Sequence, residues 1–274
     1  MTDVNSDLVD ELVELGIERR EARWLVEEFV PGGERDAVVA LHLAATRRLA
    51  GEPLQYIIGH WPFRALDLDV DQRVLVPRPE TEELVGVALG ELARRDLSAP
   101  VILDLGCGSG AIGLALLDEL RSRGIPASLV AVDESLDALA VARRNALKHR
   151  LHAVSFVHSS WFEGLDTALE GRFDLIVSNP PYVGDEEMGG LDPVLGYEPE
   201  GALVAPDAAG VTGFGDLSII IAQSPRWLKP EGVLVCEHAN HQRNAVLAAS
   251  AAAGFDAHDL DDMAGHPRIL VARR

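Results

Sequence analysis

Cysteine, long apolar runs and positive charge are all scarce in this chain of 274 residues. The two cysteines, Cys107 and Cys236, lie far apart and offer neither a metal-ligand spacing nor an evident disulfide, which favours a reduced, cytoplasmic setting. No apolar run reaches the length of about 18 residues that a membrane span needs. The acidic N-terminus also lacks the basic start and the apolar stretch of a secretory signal. We therefore expect no membrane association.

Lysine and arginine number 24 against 44 aspartate and glutamate residues, and the formal net charge is −20. Binding to a phosphate backbone needs cationic side chains that displace counterions, so this composition argues against general binding of DNA or RNA. The histidines form no HExxH motif or comparable ligand set, and no metal site is expected. The composition predicts an acidic, soluble protein whose apolar fraction of 47% is enough for a substantial core.

The pattern of apolar residues divides the chain into three predicted parts. In residues 1–60, three amphipathic segments at helical spacing predict a small helical domain, whose expected role is partner recognition. Residues 61–78 change to alternation and predict a β-hairpin linker, with the polar run 71–73 as its turn. Residues 79–274 alternate between strand and helix. This alternation predicts an α/β fold, a Rossmann-like sheet that is mostly parallel with an antiparallel C-terminal strand.

A glycine-rich loop follows the first predicted strand of this last part. Glycine allows a sharp backbone turn and lets a ligand approach closely, and the N-terminus of the following helix favours polar or anionic groups. Asp133 ends the next predicted strand, where its carboxylate can accept hydrogen bonds from both hydroxyls of a ribose. Loop and carboxylate together indicate a nucleoside-containing cofactor. The loop consists of Gly106, Cys107, Gly108, Ser109 and Gly110.

Two cofactors fit this description. The run from Gly108 to Gly113 matches the dinucleotide fingerprint GxGxxG, so an NAD-dependent oxidoreductase is one alternative. Asp104 precedes the first glycine of the loop and favours S-adenosylmethionine. A carboxylate at that position can face an ammonium group but would repel a pyrophosphate.

A second motif, Asn179-Pro180-Pro181-Tyr182, follows the predicted strand Phe173–Ser178, and the end of a strand is where an open α/β sheet binds ligands. An NH2 group on an sp² carbon is a weak nucleophile because its lone pair is delocalised. The Asn179 side-chain oxygen and the Pro180 backbone oxygen could accept its two hydrogens and direct its lone pair at the methyl donor. Tyr182 could pack against the flat group. The motif therefore predicts methylation of a planar NH2 group, mainly by positioning and electrostatics.

The glycine loop, Asp133 and the motif at 179–182 resemble class I methyltransferases that act on amide or amino nitrogen. The stretches 51–59 and 76–85, with Glu198-Pro199 and Ala202-Leu203, resemble the peptide chain release factor glutamine methyltransferases. This resemblance extends over nearly the whole chain. It implies transfer of a methyl group from S-adenosylmethionine to the side-chain amide nitrogen of the glutamine in the Gly-Gly-Gln loop of class I release factors.

The resemblance also implies the site residues. Trp161 could be an aromatic wall for adenine or an ordinary core residue. The residues implied for the glutamine are Asn179, Pro180, Pro181 and Tyr182. The residues implied for S-adenosylmethionine are Gly106, Cys107, Gly108, Ser109, Gly110, Asp133, Trp161 and Asn179.

The chain departs from the family pattern at three places. Ser160 stands where an acid often precedes the Trp-Phe pair, His238 stands where isoleucine is usual, and the segment after Ala205 lacks the usual Asp-Gly-Leu. Such departures leave other substrates open: a glutamine of a ribosomal protein, or the N6 nitrogen of adenine, which the net charge disfavours. A non-catalytic binding module is a further alternative.

Overall fold

The computed structural model describes residues 3–31, 35–190 and 192–274. Four helices come first: α1 (Asp3–Glu14), α2 (Arg19–Phe29), α3 (Arg35–Leu49) and the short α4 (Leu54–Ile58). Their apolar faces meet in one core, because the apolar residues of each helix recur at helical spacing. Fully buried members of this core are Ala22, Leu25, Val26, Val30 and Leu41. The first three helices were predicted, whereas α4 was not.

A β-hairpin follows, but its position differs from the prediction. Strands β1 (His60–Phe63) and β2 (Leu66–Asp69) are antiparallel, and their turn contains Arg64 at a positive φ of 53°. A turn does lie at the predicted place, where the Val74 amide donates to the Asp71 carbonyl over 3.1 Å, but it is not a hairpin turn, since residues 74–76 form no strand. Their apolar side chains alternate because Val74 and Val76 are buried against neighbouring helices. The alternation of apolar and polar residues therefore arises because an irregular segment is buried on one side, and it does not indicate a strand.

The remainder is the predicted Rossmann-like α/β sheet. Its seven strands are β3 (Val101–Leu105), β4 (Ser128–Asp133), β5 (Val154–His158), β6 (Phe173–Ser178), β7 (Leu228–Glu237), β8 (Asp256–Asp261) and β9 (Pro267–Arg273). They lie in the order β5-β4-β3-β6-β7-β9-β8, and β9 is antiparallel to both neighbours while β3 to β7 are mutually parallel.

Helices cover both faces of this sheet, so its central strands are apolar on both sides. One face packs against α5 (Pro79–Arg94), α6 (Ala111–Ser122) and α7 (Leu136–Lys148). The other face packs against α8 (Gly215–Trp227) and α9 (Arg243–Ala252). The strand order reverses beside β3, which opens a crevice at the carboxyl ends of β3, β4 and β6. Within the described ranges, no helix has the length and apolar character needed to cross a bilayer.

Candidate active site

A cavity of about 410 Å³ lies at this crevice. Its walls come from the segment before α5, the glycine loop, the ends of β4 and β6, and the loop that follows β6. Of the residues predicted for the site, Gly106, Cys107, Gly108, Ser109, Asp133, Trp161, Asn179 and Pro181 line it. Within the described part of the chain, Gly110, Pro180 and Tyr182 lie outside this lining.

The glycine loop is held in place by hydrogen bonds within itself and to neighbouring elements. The Cys107 amide donates to the Val132 carbonyl over 2.9 Å, and the Gly110 amide donates to the Cys107 carbonyl over 2.7 Å. The Asn145 side chain donates to the Ser109 carbonyl over 2.9 Å. Gly108 has a φ of 53°, and a Cβ placed there would meet no atom within 4 Å, so its side of the loop is open to a ligand. Gly110 takes a φ of 84° at the start of α6 and makes the turn into that helix.

Asp133 faces this loop from the end of β4. One carboxylate oxygen accepts from the Gly108 amide over 2.8 Å, and the other accepts from the Ser135 amide over 2.9 Å. Burial raises the pKa of Asp133, while these amide bonds oppose that rise. Each carboxylate oxygen keeps a second acceptor position, which fits a pair of vicinal hydroxyl donors.

Asp104 does not line the cavity, whereas its place before the loop had predicted contact with the cofactor. It is fully buried, and its Oδ2 accepts from the Gly113 amide over 2.9 Å. Among the described residues, Oδ1 has no hydrogen-bonding partner. Burial raises the pKa of Asp104 to about 7. A Cβ at Gly113 would lie 2.8 Å from this carboxylate and 2.7 Å from Leu129, so packing requires the glycine that completes the GxGxxG match.

Trp161 forms another wall of the cavity together with Asp216, which the sequence had not indicated. The indole Nε1 donates to Asp216 Oδ1 over 3.0 Å, and burial raises the pKa of this carboxyl group. Trp161 itself has a positive φ of 44°. A Cβ at Gly106 would approach its ring to 3.3 Å, so the missing side chain allows the indole to lie against the loop.

The Asn-Pro-Pro-Tyr motif contributes Asn179 and Pro181 to the lining of the same cavity. Ser178, just before it, donates to the Leu105 carbonyl over 2.8 Å and so fixes the end of β6 to the end of β3. Asn179 is partly buried, and its Nδ2 donates to the Thr81 hydroxyl oxygen over 3.2 Å. The Tyr182 hydroxyl donates to Glu237 over 3.4 Å. Neither Thr81 nor Glu237 was predicted as a site residue.

The Glu198-Pro199 motif connects two of the segments that form the cavity. Glu198 is buried, and its carboxylate accepts from the Val76 amide over 3.1 Å and from the Arg78 guanidinium over 2.5 Å. These bonds fasten the loop after β6 to the segment before α5. Pro199, which follows, lines the cavity.

Two of the three departures from the family pattern can be placed. Ser160 lines the cavity beside Trp161. His238 is fully buried, and its ring bonds to the Ala239 carbonyl and, over 2.9 Å, to Asp259. The His238 ring therefore forms hydrogen bonds with buried polar groups, and the residue does not line the cavity.

A mostly parallel sheet with an antiparallel strand near its edge, and a glycine-loop cavity above its centre, define a class I methyltransferase. Residues 97–262 match the methyltransferase-domain family. The crystal structure of a methyltransferase from Pyrococcus furiosus is 17% identical with a TM-score of 0.53, and the match covers 88% of this chain and 98% of that one. A likeness of this degree shows the fold alone.

Curated relatives give the family. The release factor glutamine methyltransferase of Pasteurella multocida is 42% identical over 209 residues, which are 73% of this chain and 68% of the relative. That of Pseudomonas aeruginosa is 39% identical over 260 residues, or 94% and 88% of the two chains. This chain belongs to the release factor glutamine methyltransferases, and its cofactor is S-adenosylmethionine. The predicted family, enzyme class and cofactor are confirmed, and the NAD-dependent alternative is wrong.

Proposed function

We propose that this chain methylates the side-chain amide nitrogen of the glutamine in the Gly-Gly-Gln loop of class I peptide chain release factors. One observation carries the proposal: Asn179 shares a single cavity with the glycine loop and Asp133. The name shared by the curated relatives supports the substrate. A reduced, cytoplasmic location is part of the proposal, and two buried free thiols, Cys107 and Cys236, are consistent with it.

The cofactor half of the site is assigned by the chemistry of its donors and acceptors. Asp133 would accept from the ribose hydroxyls, and the open side of the glycine loop would adjoin the cofactor. Trp161 would stack on the adenine, with Asp216 beside it as an acceptor. S-adenosylmethionine supplies a methyl group on a positively charged sulfur, which a neutral nitrogen can attack.

The glutamine half of the site consists of acceptors. We assign the Asn179 side-chain oxygen and the Pro180 carbonyl to the two amide hydrogens of the substrate, with Pro181 and Tyr182 bordering the flat group. Asn179 and Pro181 line the cavity, whereas the roles of Pro180 and Tyr182 are carried by the family motif alone. Two fixed acceptors orient the nitrogen lone pair without removing a proton beforehand. The N–CH3 bond would form as the S–CH3 bond breaks, and the nitrogen would then lose one proton to solvent. These residues would therefore act by positioning.

The direct test is methyl transfer from labelled cofactor to a purified class I release factor, followed by mass mapping. We expect one added methyl group, on the glutamine of the Gly-Gly-Gln loop. A release factor with alanine at that glutamine is the matched control and should stay unlabelled. Ribosomal proteins and adenine-containing DNA are tested in the same assay. Labelling of either of these without labelling of the release factor would show that the substrate is different.

We further propose that residues 1–60 form a partner-recognition domain. Helix α3 exposes two apolar side chains one turn apart, Val39 at 62% and Leu43 at 64% relative exposure. Neither belongs to the core that the first four helices share. Exposed apolar side chains in a cluster are typical of protein-binding surfaces. Under the proposed function, the partner that would bind this surface is the release factor.

Replacing both Val39 and Leu43 with aspartate is expected to raise KM for the intact release factor at least tenfold. Losing the burial of two such side chains costs about 1.5 kcal/mol or more each, and about 1.4 kcal/mol is a factor of ten. Cofactor affinity and thermal stability should stay unchanged. Leu147→Asp on α7, where the leucine is 69% exposed, is the control. An unchanged KM in the double variant would remove the basis for this role of α3.

A further inference from the structure

Glu237, at the end of β7, is a buried carboxyl group to which the proposed reaction gives no task. Only 2% of the residue is exposed. One oxygen accepts from the Thr81 hydroxyl over 2.8 Å, and the other accepts from the Tyr182 hydroxyl over 3.4 Å. Burial raises the pKa of Glu237, while the Thr81 hydrogen bond and the positive charge of Arg268 oppose that rise. Through Thr81, the carboxylate is connected to Asn179.

The number of hydrogens available determines which group donates in each hydrogen bond between Glu237, Thr81 and Asn179. A threonine hydroxyl has one hydrogen, and Thr81 donates it to Glu237, whose ionised carboxylate can only accept. Thr81 therefore presents only lone pairs to Asn179, 3.2 Å away. The Asn179 amide must place its NH2 toward Thr81, because the oxygen would meet another acceptor there. Its oxygen is then left free for a substrate.

We propose that Thr81 and Glu237 are positioning residues that fix the orientation of the Asn179 amide. The inference rests on the proposed function, because a glutamine NH2 needs an acceptor in front of it. If the Asn179 amide were rotated by half a turn, its own NH2 would face the NH2 of the substrate glutamine, and neither could accept a hydrogen bond from the other. A fixed acceptor also discriminates between substrates, since the carboxylate of glutamate offers it no hydrogen.

A neutral, donating group at position 237 would reverse the chain of hydrogen bonds. The glutamine of Glu237→Gln can donate its own NH2 to Thr81, which frees the threonine hydrogen to point at the Asn179 oxygen. Thr81→Val removes the hydroxyl while keeping the shape of the side chain. Both substitutions leave in place the glycine loop, Asp133, Trp161 and Asp216, to which the cofactor half of the site is assigned.

The experiment measures kcat on the release factor with saturating cofactor, together with cofactor affinity and thermal unfolding. We expect Thr81→Val and Glu237→Gln to lower kcat about ten- to a hundredfold, because the attacking group is less well placed. Cofactor affinity should change less than about twofold. Thr81→Ser restores the hydroxyl and should recover most of the lost kcat. Controls are Ser250→Ala, a buried hydroxyl on α9, and Glu91→Gln, a buried carboxyl on α5.

A merely structural role is separated from this one by combining each substitution with Asn179→Ala. If Thr81 and Glu237 act through Asn179, neither substitution lowers single-turnover transfer further in that background. Additive losses would overturn the inference, as would a wild-type kcat in Thr81→Val. If Thr81→Val does not fold, the comparison of Glu237→Gln with and without Asn179→Ala tests the inference in the same way. A wild-type enzyme that does not label the glutamine would refute the proposed function, and this inference with it.

Discussion

Asn179→Ala is expected to lower turnover on the glutamine substrate by about a hundredfold or more at saturating cofactor, because displacing an attacking atom by about 1 Å can cost that much. The variant loses the acceptor for one substrate hydrogen. Asn179→Asp keeps an acceptor but adds a negative charge. That charge stabilises bound cofactor more than the transition state, in which the positive charge on sulfur disperses, so a smaller loss of turnover is expected.

Turnover is measured with the purified release factor, and cofactor affinity is measured by calorimetry on the same preparations. Asn240→Ala, at an exposed asparagine outside the cavity lining, is the matched control. Both alanine variants should unfold at the wild-type temperature. Wild-type turnover in Asn179→Ala would mean that this residue does not orient the nucleophile, and the assignment of amide methylation to the motif would be withdrawn.

Asp133→Ala is expected to weaken S-adenosylmethionine binding by about a hundredfold or more. Hydrogen bonds to a charged group contribute about 1.5–3 kcal/mol each, and two ribose hydroxyls are assigned to this carboxylate. The variant also loses the Gly108 and Ser135 contacts, which hold the loop beside the cofactor. Asp133→Asn keeps one acceptor oxygen, and an intermediate loss is expected.

Affinity is read from calorimetry and from the rise in unfolding temperature that the cofactor produces. Asp137→Ala, an exposed carboxylate in the first turn of α7, controls for the loss of one negative charge. At cofactor concentrations high enough to restore occupancy, Asp133→Ala should regain much of its turnover. A folded variant with undiminished affinity would show that Asp133 does not bind the ribose.

Local patterns in the sequence were sufficient to predict most of the sheet. Each central parallel strand is short, apolar and buried on both faces, so it stands out between helical segments. The hairpin was misplaced because the alternation at Val74 and Val76 arises from burial between helices. Periodicity measures which side chains are buried, and it does not say whether the backbone carrying them is paired.

The site was predictable only where its residues follow directly on a strand. The glycine loop, Asp133 and Asn179 meet because parallel strands end at one edge of the sheet. Asp216 and Glu237 depend on partners 55 and 156 residues away in sequence. No spacing rule relates such positions. The error at Asp104 has a related cause, since only the folded strand determines that its carboxylate lies beneath the loop.

The hydrogen bonds that hold the glycine loop have a consequence for how the enzyme responds to the cell. Four of them, made by Cys107, Gly110, Asn145 and Asp133, fix the loop to itself and to neighbouring elements, so this wall of the site needs little ordering when a ligand binds. Under the proposed assignment, these walls contact the adenosine part, which the reaction leaves unchanged. The spent, demethylated cofactor therefore keeps most of those contacts and competes with fresh cofactor. The rate of methylation would then follow the ratio of the two forms, and the rigid loop makes the enzyme sensitive to the methylating capacity of its surroundings.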